Sequence, residues 1–168
     1  LETTLLGCTL RLHAPTVVAV AGAHCDVFVG GVRAPWGAPF RVGPGQSVEI
    51  GAAVSGLRSY VAVRGGVGAD PVLGSRSTDI LSGLGPAPLG PGDVVPIPGS
   101  RGSDVPAGLF GGSALPAPTP VTELTLAHGP RADWLAPEGW ELLARAEWTV
   151  ATESNRVGLR LSGPALPR

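Results

Sequence analysis

The sequence predicts a mainly β fold, and three observations support this class. Short apolar runs rich in Val, Ile and Thr recur along the 168 residues at the spacing of an all-β protein. The 26 Gly and 18 Pro fall between these runs, where they predict turns rather than disorder. A single segment has the periodicity of an amphipathic helix. We therefore expect a sheet-based core accompanied by one short helix.

The strand predictions rest on apolar or alternating runs bounded by turn residues. The run 16–21 is apolar throughout, which is typical of a strand buried on both faces. The pair Gly30-Gly31 lies between two such runs and predicts a hairpin. In chain order, strands are predicted at residues 9–13, 16–21, 26–29, 32–33, 39–42, 47–50, 59–64, 94–97, 123–128, 149–151 and 158–161.

The strand 59–64 is the clearest of these and leads into the most informative loop. Gly65-Gly66 ends the strand, because glycine adopts backbone angles closed to other residues. Successive side chains of a strand point to opposite faces of its sheet. We therefore expect two sets of side chains here, with Tyr60, Ala62 and Arg64 on one face and Val61 and Val63 on the other.

A short internal repeat predicts two matching turns. Residues 43–50 and 90–97 both begin with Gly-Pro-Gly and continue into an apolar run. Proline fixes the first central φ of a type II turn, and glycine accepts the positive second one. Two copies are too few for a solenoid, so the repeat indicates recurring corner chemistry in a barrel. Pro96 and Pro98 predict that the second copy forms an edge strand.

The composition changes near residue 120. Residues 103–120 are rich in Gly, Ala and Pro and predict a linker or a long surface loop. The following segment, 130–146, predicts the helix, with Pro137 near its start. Trp140, Leu143 and Ala144 are spaced to form one apolar face.

Charge and composition exclude several classes of function. The net charge is −1, so the sequence shows no electrostatic footprint for nucleic acid or an anionic membrane. All twelve basic residues are arginine, which excludes a catalytic or phosphate-binding lysine. No signal peptide and no apolar run near the roughly 20 residues of a membrane span are present. We expect a cytoplasmic protein with Cys8 and Cys25 reduced. The chain starts without Met and is expected to be a fragment of a longer protein.

The loop after strand 59–64 carries the best candidate for an anion-binding site. Residues 75–79 bring together a guanidinium, three hydroxyls and a carboxylate. Arginine offers a bidentate fork to carboxylate or phosphate, and hydroxyls add donors. The alternative is a structural loop in which Arg76 pairs with Asp79 or with a carbonyl. The candidate binding residues here are Ser75, Arg76, Ser77 and Thr78.

A second polar turn, 153–160, enters the last predicted strand. Arg156 and Arg160 are an even number of residues apart and would face the same side of a strand. The alternative is a pair of ordinary surface arginines. No metal-ligand spacing and no Ser-His-Asp arrangement can be built from the sequence. Residues 65–68 are rich in glycine but favour a strand-ending turn over a nucleotide loop, because no helix and no lysine follow.

At these two motifs the sequence resembles the KipA-like family, also called allophanate hydrolase subunit 2 or carboxyltransferase subdomains A and B, which includes a subunit of 5-oxoprolinase. The specific match is Leu-Gly-Ser-Arg-Ser-Thr at 73–78, preceded by Tyr-Val-Ala-Val-Arg-Gly-Gly at 60–66. Further matches lie at 18–23, 89–93, 129–134 and 154–161. Asn155 and Val157 depart from this family's usual Asp and Met.

The resemblance implies a cyclophilin-like β-barrel lobe at 1–102, incomplete at its N-terminus. The linker at 103–120 and the beginning of a second related lobe at 121–168 would follow. It also implies a subunit of an ATP-dependent 5-oxoprolinase that acts with a KipI-like partner and a third subunit. This fragment alone would be inactive. Arg76 would bind the anion of a small-molecule substrate with Ser75, Ser77 and Thr78, and Arg64, Arg156 and Arg160 would contribute.

Two other functions follow from the same resemblance. One is the carboxyltransferase part of a biotin-dependent urea carboxylase. Biotin would be a cofactor only under this alternative. The other is a non-enzymatic antagonist that binds a KipI-like kinase inhibitor by contact. This second reading is favoured by the absence of a recognisable nucleophile and base in the sequence.

Overall fold

The computed structural model describes residues 1–99, 121, 123–155 and 157–167. The chain divides into two compact units, Leu1–Pro120 and Val121–Arg168, and each is considered by itself. The predicted linker at 103–120 lies outside the described residues. The mainly β class with one short α-helix is confirmed. Within the described ranges, no helix is both long and apolar enough to cross a membrane.

The strands of the first unit form two antiparallel sheets of four strands each. One sheet has the order β1-β8-β3-β6 and the other has the order β2-β7-β4-β5. Both sheets are open, so each has two edge strands rather than closing into a hydrogen-bonded ring. The strands are β1 (Glu2–Thr4), β2 (Cys8–Arg11), β3 (Thr16–His24), β4 (Val27–Val29), β5 (Val32–Arg33), β6 (Pro39–Val42), β7 (Ser47–Ile50) and β8 (Ser55–Val63).

The inner faces of the two sheets share one hydrophobic core. Val20 of β3 and Val61 of β8 are almost fully buried in the same cluster as Val48 and Ile50 of β7. On β8 the predicted alternation is confirmed, since Ser59 and Val61 are buried while Tyr60 and Ala62 are exposed. Burial of apolar surface drives this packing, at about 25 cal/mol per Å² removed from water.

Burial along β3 changes phase near Gly22. Thr16, Val18 and Val20 are buried, and the next buried positions are Ala23 and Cys25. The pairing of β3 with β8 shifts register between Gly22 and His24. Irregular pairing of this kind re-aims side chains and lets a chain cross from one sheet to another. Here it carries the chain from the first sheet into β4 of the second.

Several strand predictions are wrong in their details. The run 16–21 is not buried on both faces, because Val17 and Ala19 are only partly covered and Ala21 is exposed. Residues 94–97 and 123–128 are not strands. For 94–97 the physical reason is Pro96, which lacks the N–H that a sheet ladder needs. Of the predicted strand at 158–161, only Leu161 is in a strand.

The two Gly-Pro-Gly turns have the same hydrogen-bonded geometry. Gln46 N–H donates to the Gly43 carbonyl at 3.3 Å, and Asp93 N–H donates to the Gly90 carbonyl at 3.2 Å. Gly45 and Gly92 both have the positive φ that a type II turn requires, +78° and +92°. The side chains of Gln46 and Asp93 also accept from the N–H of the first glycine of their own turn.

The second unit contains the predicted helix. A short 3-10 helix, Ala132–Trp134, precedes α1 (Pro137–Arg145), and a two-stranded sheet pairs β9 (Thr149–Val150) with β10 (Leu161–Ser162). Pro137 is the first residue of α1, where its missing N–H costs no hydrogen bond. Trp140 and Leu143 are half-buried, whereas Ala144 is exposed and does not belong to the covered face.

Candidate functional site

The candidate anion-binding loop begins where β8 ends. Gly65 and Gly66 both have positive φ values, and the Gly66 N–H donates to the Val63 carbonyl at 2.9 Å. The strand-ending turn predicted from the sequence is therefore present. No helix follows it within residues 67–99, so these glycines do not form a nucleotide-binding loop of the strand–glycine–helix kind.

A tight turn presents Ser75 and Arg76 to solvent. Val72 and Ser75 exchange two backbone hydrogen bonds, of 2.8 and 3.0 Å, as the end residues of the smallest β-hairpin do. The two central residues, Leu73 and Gly74, have φ of +49° and +80°, the signs that a type I′ turn requires. Leucine rarely adopts this conformation, and its side chain is 91% exposed here.

Arg76 is held by one nitrogen and keeps the rest of its guanidinium available. Its Nε donates to the Ala69 carbonyl at 2.9 Å, so of the structural alternatives the carbonyl is correct and Asp79 is not. Among the described residues, Arg76 makes no ion pair. The guanidinium carries five N–H donors. The donor at Nε holds the side chain in place, and four donors remain. The anion-binding role of Arg76 stays a prediction that this geometry permits.

The hydroxyls around Arg76 have different tasks. Ser75 Oγ accepts the Ser77 N–H at 3.1 Å, which fixes the chain on both sides of Arg76. Thr78 is half-buried and its Oγ1 donates to the Pro86 carbonyl at 2.7 Å. The Thr78 hydroxyl therefore forms a hydrogen bond within the loop, whereas Ser77 is exposed.

Asp79 organises the next turn. Its Oδ1 accepts the Leu81 N–H at 3.0 Å and its Oδ2 accepts the Ser82 hydroxyl at 2.7 Å. The Asp79 N–H in turn donates to the Leu84 carbonyl at 2.8 Å. Short polar side chains often stabilise turns in this way. The carboxylate therefore supports the loop that carries Arg76.

Of the other predicted site arginines, Arg64 and Arg160 are described and belong to different units. Arg64 directly follows β8 and is exposed. Its backbone N–H donates to the Val17 carbonyl at 2.9 Å. Arg156 lies outside the described residues. Arg160 is exposed and belongs to the second unit, where its backbone N–H donates to Ser154 Oγ at 2.9 Å. Asn155 Oδ1 accepts the Val157 N–H in the same turn, at 2.8 Å. The sequence prediction that joined these residues to Arg76 stays a prediction.

A cavity of about 440 Å³ lies in the first unit, and the sequence did not indicate it. His24, the last residue of β3, is exposed, whereas Cys25, which follows it, is buried. In the described ranges no group of three or more His, Cys, Asp or Glu residues could hold a metal ion. The sequence signal that could have indicated the cavity is Gly22, because an isolated glycine within a strand suggests a bulge. In the structure its φ of +94° marks the phase change. The lining residues are His24, Cys25, Asp26, Val27, Arg33, Ala34, Pro35 and Trp36.

Comparison with known proteins places the chain in a family. The family model described as "Carboxyltransferase domain, subdomain A and B" matches residues 1–168. The chain belongs to this family. The resemblance found in the sequence is thereby confirmed.

Two relatives are identical to the chain at about a third of their aligned residues. The urea amidolyase of Saccharomyces cerevisiae is 31% identical over 98% of this chain and 10% of its own length. A 5-oxoprolinase subunit of Escherichia coli is 31% identical over 100% of this chain and 54% of its own length. The chain therefore spans about half, or less, of the carboxyltransferase relatives that it matches.

A solved structure supports the same placement. The crystal structure of the K. lactis urea amidolyase aligns over 99% of this chain and 11% of its own chain, with a TM-score of 0.71 and 31% identity. The fold of the chain is thus the fold of the corresponding segment in that carboxyltransferase family member.

Proposed function

We propose that the chain is part of an enzyme of the 5-oxoprolinase type, a hydrolase that opens the cyclic amide 5-oxoproline to glutamate at the expense of ATP. Its family membership and its match along its full length to a subunit of 5-oxoprolinase support this proposal. A KipI-like subunit and a third subunit would complete the enzyme. The chain by itself would be inactive.

The observation that carries the proposal is the anchoring of Arg76. A guanidinium fixed through Nε, with its other donors available, suits a substrate carboxylate or a phosphate-like intermediate. Donors that are fixed before the reaction stabilise developing charge without reorganising, which makes them effective in transition states. Ser77 would add a hydroxyl donor, and Ser75 would position both residues. Arg64 would contribute further positive charge.

ATP, when bound, supplies the phosphoryl group that activates the amide. The glycine turn after β8 lacks the following helix that would cradle phosphates, so this chain does not offer a nucleotide loop there. We expect ATP to be shared with the partner subunits. The residues of this chain would then bind and orient the substrate and balance its charge.

The test is the 5-oxoproline-dependent hydrolysis of ATP by the complete complex, compared between the wild type and Arg76→Gln. We expect kcat/KM to fall roughly 100-fold, the loss typical of removing one fixed donor to a developing anion. Arg11→Gln, at an exposed position on β2, is the matched control and should leave the rate unchanged. Equal rates for wild type and Arg76→Gln would contradict the assignment of Arg76.

A second candidate function is the carboxyltransferase step of a biotin-dependent urea carboxylase. The similarity to urea amidolyase over 98% of the chain favours it. Arg76 would then bind the carboxyl group that is transferred. The same complex assayed with urea in place of 5-oxoproline, with and without avidin to sequester biotin, separates the two reactions.

The remaining alternative is a non-enzymatic function, in which the protein acts only by binding its partner. A protein that only antagonises a KipI-like inhibitor would bind the partner and yet produce no substrate-dependent hydrolysis with either substrate. Measuring partner binding and ATP hydrolysis on the same samples distinguishes this outcome from both enzymatic readings.

A further inference from the structure

The cavity lined by His24, Asp26, Arg33 and Trp36 is built from firmly held elements. The Ala23 carbonyl, at the phase change of β3, accepts two side-chain donors: Trp36 Nε1 at 3.3 Å and Ser59 Oγ at 3.0 Å. The first of these bonds fixes the indole ring at the wall of the cavity. The second ties the same carbonyl to the core, because Ser59 is only 3% exposed.

The backbone around the cavity is anchored at each lining segment. The Val54 N–H donates to the His24 carbonyl at 2.8 Å, and the Gly51 N–H donates to the Asp26 carbonyl at 2.9 Å. The Ala34 N–H donates to the Val27 carbonyl at 2.8 Å, which ties the two lining segments to each other. A cavity whose walls are fixed in this way is preformed, so ligand binding would carry little cost of ordering.

One wall of the cavity is aromatic. The rings of His24 and Trp36 lie 5.1 Å apart between centroids, tilted by 47°. Pro35 adds a further apolar ring to the lining. A flat ligand can be covered by such a wall, because aromatic rings gain from offset or edge-to-face contact.

The polar groups of the cavity are paired but not saturated. Arg33 Nη2 donates to Asp26 Oδ1, and the side chains are 66% and 49% exposed. The described residues provide no other hydrogen bond to either side chain. The guanidinium therefore keeps donors for an anion, and the carboxylate keeps an oxygen that can accept an N–H. A bidentate arginine–carboxylate contact is a strong and directional form of recognition.

We propose that this cavity is a second small-molecule site, which binds a planar ligand bearing one carboxylate and an adjacent N–H donor. The carboxylate would lie on Arg33, the N–H on Asp26 and the ring against Trp36. The volume of about 440 Å³ is within the range of small-ligand pockets. The site shares no residue with the Arg76 loop. Evidence against the proposed reaction would therefore not count against this site.

Orotate is the probe for this site, since it combines a planar ring, ring N–H groups and one carboxylate. Titration calorimetry on the full chain should show saturable binding with a Kd of about 1 mM or tighter. Uracil lacks the carboxylate and benzoate lacks the N–H, so both should bind at least roughly tenfold more weakly. Orotate should also shift the NMR signal of the Trp36 indole N–H, assigned by its loss in Trp36→Phe.

Two variants and one control locate the binding. Arg33→Gln and Asp26→Asn change exposed side chains, so the fold should be kept, and thermal unfolding verifies this. Each should weaken orotate roughly tenfold, with Arg33→Gln also removing the preference for orotate over uracil. Arg41→Gln, at an exposed position on β6 outside the cavity, should bind as the wild type does. The proposal is overturned if orotate fails to saturate, if Arg33→Gln binds as tightly as Arg41→Gln, or if the Trp36 signal does not move.

Discussion

The buried hydroxyl of Ser59 lies 3.0 Å from the carbonyl oxygen of Ala23 and donates a hydrogen bond to it. The two residues belong to neighbouring strands, β8 and β3, at the place where their pairing shifts register. Ser59 Oγ also lies 3.7 Å from Cys25 Sγ. This bond therefore joins the core of the first sheet to the segment that crosses into the second sheet.

Replacing Ser59 by Ala should lower the free energy of unfolding by about 1–2 kcal/mol. The change removes a buried donor, although the Ala23 carbonyl keeps its bond from Trp36 Nε1. Urea denaturation at constant pH measures the effect. Thr9→Ala, at an exposed position on β2, is the matched control and should change stability by less than about 0.5 kcal/mol. Equal effects of the two substitutions would contradict the role of the Ser59 bond.

Gly22→Ala should destabilise the first unit far more than Gly31→Ala. Both glycines have positive φ, +94° and +81°, so both substitutions impose backbone strain of about 1–2 kcal/mol. At Gly22 a new Cβ would also lie 2.5 Å from the Arg58 carbonyl oxygen, whereas at Gly31 it meets nothing within 4 Å. Thermal unfolding of both variants separates the clash from the strain. Similar losses at the two positions would show that the close approach at Gly22 is not limiting.

Truncating Val20 to Ala should cost about 2 kcal/mol of stability. Val20 is fully buried in the shared core, and the substitution removes two methyl groups and leaves a void. Val32→Ala deletes the same atoms from a side chain that is 71% exposed and should be almost neutral. Urea denaturation of the pair measures the difference. Equal unfolding midpoints for the two variants would show that Val20 does not stabilise the core.

Burial raises the pKa of the Cys8 thiol above its ordinary value. A thiol with a raised pKa in the folded state favours folding below its unfolded pKa, and this contribution is lost as pH rises through the folded pKa. We expect the pH midpoint of Cys8 alkylation by iodoacetamide to be higher in the folded chain than in urea, since the thiolate is the reacting form. Mass spectrometry of the Cys8 peptide measures both profiles. A folded midpoint at or below the unfolded one would refute the effect of burial.

Local pattern was sufficient to predict much of the first unit. The predicted strands at 39–42 and 47–50 coincide with β6 and β7, because each alternates between the core and solvent and a Gly-Pro-Gly turn lies between them. The same pattern failed at 94–97. There the turn at Gly90 forms as predicted, but the prolines that follow prevent pairing with a neighbouring strand.

The sites depend on contacts that no local pattern encodes. The loop around Arg76 was recognised from its residue types, but the Ala69 carbonyl that anchors it could not be identified, since any carbonyl serves as an acceptor. The cavity was missed for a different reason. Counting the pleat onward from Val20 predicts that His24 and Asp26 point inward, and the phase change at Gly22 turns both of them outward.

The phase change in β3 limits how the length of the chain can vary. Inserting one residue between Gly22 and His24, with the register shift kept, would turn an imidazole and a carboxylate into an apolar interior, while the thiol of Cys25 would come to the surface. Single-residue insertions in natural or engineered variants should therefore be accepted at the exposed turn around Gly31 and rejected in this stretch. Length variation gives a way to identify which relatives keep the cavity.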